Sequence, residues 1–256
     1  MMRTAPAFLL LLALVRPAGA ATPGSAASAD TSAAPLVARM IEAFGGRAAL
    51  ERVHAYRMHG TVTAAGRSAR SGPTVRTFQR PDRLKVVIEY PGAPEIRTVR
   101  GRTGWRSSGG PVEEAHGPML DAMVLQASRV ALPWVLLERG STARRAPARD
   151  LDGRTLEGLE LSIGDGLLLR AWSDSTGHVR ISQGEMAMGA ARTQFETIYD
   201  DWRRVGGLWL AHHEEGFASG TRTGTTVFDS VAVDPPVRPD EFAPPVSGVS
   251  AHPDSS

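Results

Sequence analysis

The densest group of side chains with ligand or acid–base chemistry is His212-His213-Glu214-Glu215. Imidazoles beside carboxylates are the material of a zinc site, and the helical form of that site repeats His after two intervening residues, as H-E-x-x-H. Phe217 stands where the second His would fall. The flanking residues read as a strand, on which neighbours point to opposite faces, so His212 and His213 could share a metal only across a bulge. They read as polar strand residues. Asp150-Leu151-Asp152-Gly153 offers carboxylates to calcium, but the calcium loop needs Gly sixth and a carboxylate twelfth, and here Gly is fourth. An Asp-Gly hairpin turn accounts for the same residues. Asp200-Asp201 and Glu113-Glu114 read as solvated pairs rather than an acid and its base. The chain has no cysteine, which removes a thiol nucleophile, and no nucleophile elbow, Walker loop or dinucleotide-binding glycine pattern is present. The expectation is therefore no catalytic residue, no metal site, no cofactor, and a protein that is not an enzyme.

The N-terminus gives the compartment. Arg3 precedes an apolar run from Phe8 to Val15, and small residues end at Ala18-Gly19-Ala20. That is the form of a secretory signal peptide with an A-x-A cleavage site, and the run is too short for a membrane span, which needs about 20 residues. Residues 1–20 are expected to be removed, leaving a periplasmic chain with no transmembrane anchor. Residues 21–35, rich in Ala, Ser, Pro and Gly, are expected to form a flexible leader. One domain over 36–245 and a disordered tail over 246–256 complete the expected organisation. Without cysteine, neither a lipidated N-terminus nor a disulfide is available, so stability must come from the core. Setting aside Arg3 and Arg16 leaves 27 basic against 27 acidic residues, and Lys85 is the one lysine. Arginines are scattered along the chain rather than clustered, so no nucleic-acid partner is expected.

The elements that must position any site are mostly strands. Leu36, Val37, Met40, Ile41 and Phe44 recur at helical spacing before Gly45-Gly46, and a second helical turn spans 47–53. From Tyr56 the period becomes two, and short alternating runs follow: 56–62, 75–80, 84–90, 95–101, 104–108, 155–163, 167–173, 179–186, 192–202, 208–216 and 225–233. Ten or eleven strands joined by short turns imply an antiparallel barrel, open or closed. One segment departs from this: Met119, Leu120, Met123, Val124, Ala127, Val130, Ala131, Trp134 and Leu137 recur at helical spacing, with Pro133 expected to kink the segment or split it in two.

The apolar inventory defines a candidate ligand-binding cavity: Tyr56, Met58, Leu84, Val86, Ile88, Tyr90, Trp105 and Leu161 from strands, and Met123, Val124, Ala127 and Trp134 from the helical segment. Such faces serve a filled interior or a hollow one equally well. The methionines on the helical segment suit varied apolar partners, and a helical cover over a sheet would suit an acyl chain.

Three stretches carry a resemblance. They are Ala43-Phe44-Gly45-Gly46 followed by the strand entry from Val53 to Val62, then Tyr199-Asp200-Asp201-Trp202 through Gly206-Gly207-Leu208-Trp209-Leu210, then Val227 to Pro236 before Phe242. In this order the chain resembles the outer-membrane lipoprotein-sorting superfamily, the LolA/LolB-like periplasmic carriers, as a divergent member. The resemblance implies a mainly β (α+β) fold, an incomplete antiparallel β-barrel of about 11 strands with helices covering its concave face. It also implies a carrier that holds a lipid or lipoprotein acyl chain, with Trp105 at the cavity mouth; the carriers' lid-locking arginine has no counterpart that can be placed here. An envelope sensor of the same fold, acting through protein contacts, is the alternative. A metal-dependent hydrolase at His212 and His213 is the remote one.

Overall fold

The computed structural model describes residues 32–66 and 70–245; the expected signal peptide, most of the expected leader and the expected tail lie outside them. The first helix, α1 (Ala34–Ala43), begins inside the stretch expected to be leader, with Pro35 in its first turn, where the missing N–H costs nothing. It buries Leu36, Val37, Met40 and Ile41 on one stripe and stops at Gly45 and Gly46, both at positive φ. A second helix, α2 (Arg47–Arg52), follows. Then come β1 (Ala55–Ala64), β2 (Ser71–Gln79), β3 (Arg83–Ile88), β4 (Glu95–Arg100), β5 (Thr103–Ser108) and the two-residue β6 (Glu113–Glu114). Helices α3 (Gly117–Val130) and α4 (Leu132–Arg139) interrupt the strands, and β7 (Arg144–Leu151), β8 (Arg154–Gly164), β9 (Leu167–Ser173), β10 (Val179–Met188), β11 (Ala191–Val205), β12 (Leu208–Ala218) and β13 (Thr221–Val233) complete the domain.

All strands join one antiparallel sheet in the order β6-β5-β4-β3-β2-β1-β13-β12-β11-β10-β9-β8-β7. The first and last long strands pair at its centre, and β6 and β7 are left as its edges. The barrel is therefore open between β6 and β7, and α3 and α4 bridge that opening in the chain. Among the described residues the sheet has 13 strands, two more than the eleven alternating runs. Of the two additional ones, β6 is very short, and β7 is an arginine-rich edge strand with Pro147 at a bulge, so neither has an apolar alternation to read. The Asp-Gly turn is as expected: Asp152 and Gly153 both take positive φ between β7 and β8, the backbone of a tight hairpin.

Helices divide the concave face into a filled end and a hollow one. At the filled end α4 packs on α1 and α2, and Trp134 is 1% exposed. Its ring lies 5.1 Å from Phe78 and 6.1 Å from Tyr56, and its indole N–H donates to the Leu50 carbonyl at 2.8 Å. The helical segment breaks as expected, α3 and α4 meeting at 84° with Pro133 in the first turn of α4. Helix α3 lies across β9 and β10 on one side and β4 and β5 on the other. It docks closely because Gly104 and Gly184 present no side chains: a Cβ on Gly184 would lie 2.9 Å from Leu125, and one on Gly104 would lie 3.2 Å from both Leu120 and Met123.

Candidate functional site

Beneath α3 the sheet borders a half-open cavity of about 640 Å³, within the size range of small-molecule sites, roughly 300–1,000 Å³. Strand alternation sets its floor: Val86 and Ile88 of β3, Val62 of β1 and Phe195 of β11 face inward, and Met119, Ala122 and Met123 of α3 form the roof. The lining is not uniformly apolar. Arg70, Arg76, Arg97, Arg106 and Arg129 reach it, together with Glu95, Glu196 and Glu214. A smaller pocket of about 50 Å³ lies deeper and shares Arg76, Arg129 and Glu214 with the main cavity. Phe44, Tyr56, Met58, Tyr199 and Trp202 close around it.

Arg76 and Glu214 meet at the junction of the two spaces in a bidentate ion pair, both contacts 2.7 Å. Their side chains are only 11% and 13% exposed, and the guanidinium lies 4.7 Å over the Phe228 ring. Burial alone would lower the pKa of Arg76; the Glu214 charge and its hydrogen bonds outweigh that and hold it above the ordinary arginine range. Burial, with the Glu214 charge behind it, pushes the Tyr199 hydroxyl up, so it stays neutral and shares a 2.7 Å hydrogen bond with Ser182. Tyr56 is raised likewise, by burial first, and donates to the Val130 carbonyl at 3.1 Å.

At the wider end each arginine has a carboxylate partner, although one carboxylate serves two of them. Arg70 and Arg97 share Glu95, Arg97 also reaches Gln126, and Arg106 turns to Glu113. Glu196 is held by Arg149 and Gln183. The side chain of Arg129, on α3, has no ion pair or hydrogen bond among the described residues, and its Nη1 is buried without an acceptor. Burial lowers its pKa, an effect that the nearby Glu214 charge opposes in part.

The expected cavity residues divide into three groups. Tyr56 and Met58 line the deep pocket, and Val86, Ile88, Tyr90 and Met123 line the main cavity. Leu84, Ala127, Trp134 and Leu161 are buried core, and Val124 packs against that core. Trp105 lies on the other face of the sheet: it pairs with Thr98, which pairs with Lys85, whereas the next rung, Gly104 with Val99 and Leu84, faces α3. His212 is 3% exposed and bonds the Phe228 carbonyl through Nδ1 at 2.8 Å. His213 sits beside the exposed Val227 on the opposite face, so the two imidazoles do not converge. Among the described residues no three His, Asp or Glu side chains form a group suited to a metal ion.

Sequence reasoning missed Arg76, Arg129, Tyr199, Trp202 and Glu214 as site residues. A signal for the arginines existed: Arg76 is in phase with the inward Thr74 and Phe78, and the helical segment carries Arg129 between Ala127 and Ala131.

This arrangement, an open antiparallel barrel with helices across its concave face, is similar in fold to three solved structures. An outer membrane lipoprotein-sorting protein domain from Vibrio parahaemolyticus superposes with a TM-score of 0.53 at 11% identity, covering 83% of this chain and 97% of that one. A LolA superfamily protein from Nitrosomonas europaea gives 0.52 at 10% identity, covering 82% and 96%. A DUF1329 family protein from Desulfovibrio piger gives 0.51 at 11%, covering 82% and 95%. No protein-family profile matches the chain, and no curated protein sequence does either.

Proposed function

We propose that this chain is an exported, periplasmic binding protein that holds a lipid or the acyl chain of a lipoprotein beneath α3. The observation that supports this most is the cavity of about 640 Å³ between a methionine-bearing helix and a strand floor that carries Val62, Val86, Ile88 and Phe195 among polar residues, in a fold shared with lipoprotein-sorting proteins. A hydrocarbon chain is an appropriate occupant because each CH2 removed from water contributes about 0.8 kcal/mol. Met119 and Met123 can adapt to chains of different shape, since an unbranched thioether repacks more readily than a branched side chain. The role is binding and shielding rather than catalysis.

The test is native mass spectrometry of the mature protein purified from a bacterial periplasm without detergent, followed by solvent extraction. Adduct mass that extracts as lipid is the expected result. A fatty-acyl chain-length series then checks the mechanism: affinity should rise roughly fourfold per added CH2 until the cavity is full, then level off. A protein that carries no lipid and binds no member of the series would refute the reading.

A further inference from the structure

We infer that the bound molecule is an amphiphile with an anionic headgroup, seated at Arg129 in the deep pocket while its chain runs out along the main cavity. This rests on the lipid-binding reading and adds the charge and orientation of the ligand. The first ground is charge accounting. Every other arginine lining the cavity is paired with a carboxylate, and Glu214, the acid nearest the pocket, is committed to Arg76 through both its oxygens. Arg70 and Arg97 divide one carboxylate between them, whereas the Arg129 side chain, on the roof of a half-open space, has no carboxylate partner at all among the described residues.

The second ground is independent of charge. Three buried polar atoms on residues that line the deep pocket lack a partner: Nε of Arg76, Nη1 of Arg129 and Nε1 of Trp202. All three are N–H donors, and buried donors are normally satisfied. Unmet donors around the pocket call for acceptors, which an ester oxygen also supplies; a carboxylate or a phosphate monoester adds the negative charge that an unpaired Arg129 requires and that an ester or an alcohol lacks. The third ground is continuity. Arg76 and Arg129 line both spaces, so a headgroup held at Arg129 lies beside the cavity whose floor carries Val86 and Ile88.

The experiment is displacement of a fluorescent acyl probe from the full mature protein by amphiphiles of matched chain length: palmitate, a palmitoyl lysophosphatidic acid, methyl palmitate and a palmitoyl lysophosphatidylcholine. The two acids should bind at least tenfold more tightly than the methyl ester and the zwitterion, and their ratio to each other tells carboxylate from phosphate. Arg129→Gln should abolish the preference, the acids falling to the affinity that methyl palmitate has in the same variant, and Arg129→Lys should restore part of it. Far-UV circular dichroism and the urea midpoint of each variant show that it is folded. Equal affinity for acid and ester in the wild type, or a preference that survives Arg129→Gln, would overturn the headgroup assignment and leave the lipid cavity standing. Failure of all four to displace the probe would overturn both.

Discussion

Replacing Glu214 with glutamine isolates the most consequential electrostatic feature of the interior. The side chain keeps its shape and one acceptor oxygen but loses its charge, so Arg76 remains a buried cation with no carboxylate partner. With charge centres about 4 Å apart and an effective dielectric of about 20, the lost attraction is about 4 kcal/mol. Breaking one partner of a buried pair typically costs about 3–5 kcal/mol, because the desolvation of the survivor is no longer offset. At about 2–4 °C per kcal/mol for a domain of this size, Tm should fall by roughly 6–20 °C. Urea unfolding with calorimetry measures both quantities. Substituting both partners, Arg76→Met with Glu214→Leu, should recover wild-type stability or exceed it, since neither charge then needs to be desolvated. A loss below about 1 kcal/mol in Glu214→Gln with an unchanged denaturant slope would mean that water reaches the pair and that the junction is not a low-dielectric site. A double variant no more stable than the single one would refute charge burial as the cause.

Trp134→Ala should destabilise by about 3–5 kcal/mol, because it removes one ring of a three-ring cluster with Phe78 and Tyr56 and leaves the Leu50 carbonyl only the longer hydrogen bond from Arg80; calorimetry measures the loss. Gly184→Val would drive a branched side chain into Leu125, so α3 should lift from β10 at a cost of about 1–3 kcal/mol. Amide exchange within 117–130 should accelerate relative to α4. Glu185, on β10, is held at a pKa of about 2: burial opposes ionisation, but hydrogen bonds from Arg170, Gln194 and Arg192 outweigh it. Its folded pKa lies below the ordinary carboxylate value, so its stabilisation is complete above about pH 4.5 and is lost as pH falls towards 2. Glu185→Gln should therefore cost about 1–3 kcal/mol at pH 7, where the charged hydrogen bonds are intact, and progressively less below pH 4 when unfolding is followed against pH.

Local features of the sequence were legible because local physics decides them. Gly45-Gly46 ends α1 through positive φ, Asp152-Gly153 turns β7 into β8 for the same reason, and Pro133 divides the helical segment. Period-two alternation located every long strand that buries an apolar face. Strand β7 escaped because it is an edge: its arginines and Pro147 present no such face, so there was no period to find.

Which side chains face inward is thus a property of the sequence; whether they meet a helix or a hollow is not. Leu84, Val86 and Ile88 share one face of β3, yet Leu84 is sealed in the core while Val86 and Ile88 line the cavity. The division depends on where the helices lie across the sheet, and that is set by packing at positions remote in the chain, such as Gly104 and Gly184. The ion pair at the cavity junction joins residues 138 apart on β2 and β12, brought within reach because β1 and β13 pair between them. The sequence by itself determined the strands, the turns and the inward faces, because backbone preference and alternation act over a few residues. The hollow, the buried pair and the unpaired Arg129 were decided by tertiary structure, because each depends on strands and helices that meet only when the sheet is assembled.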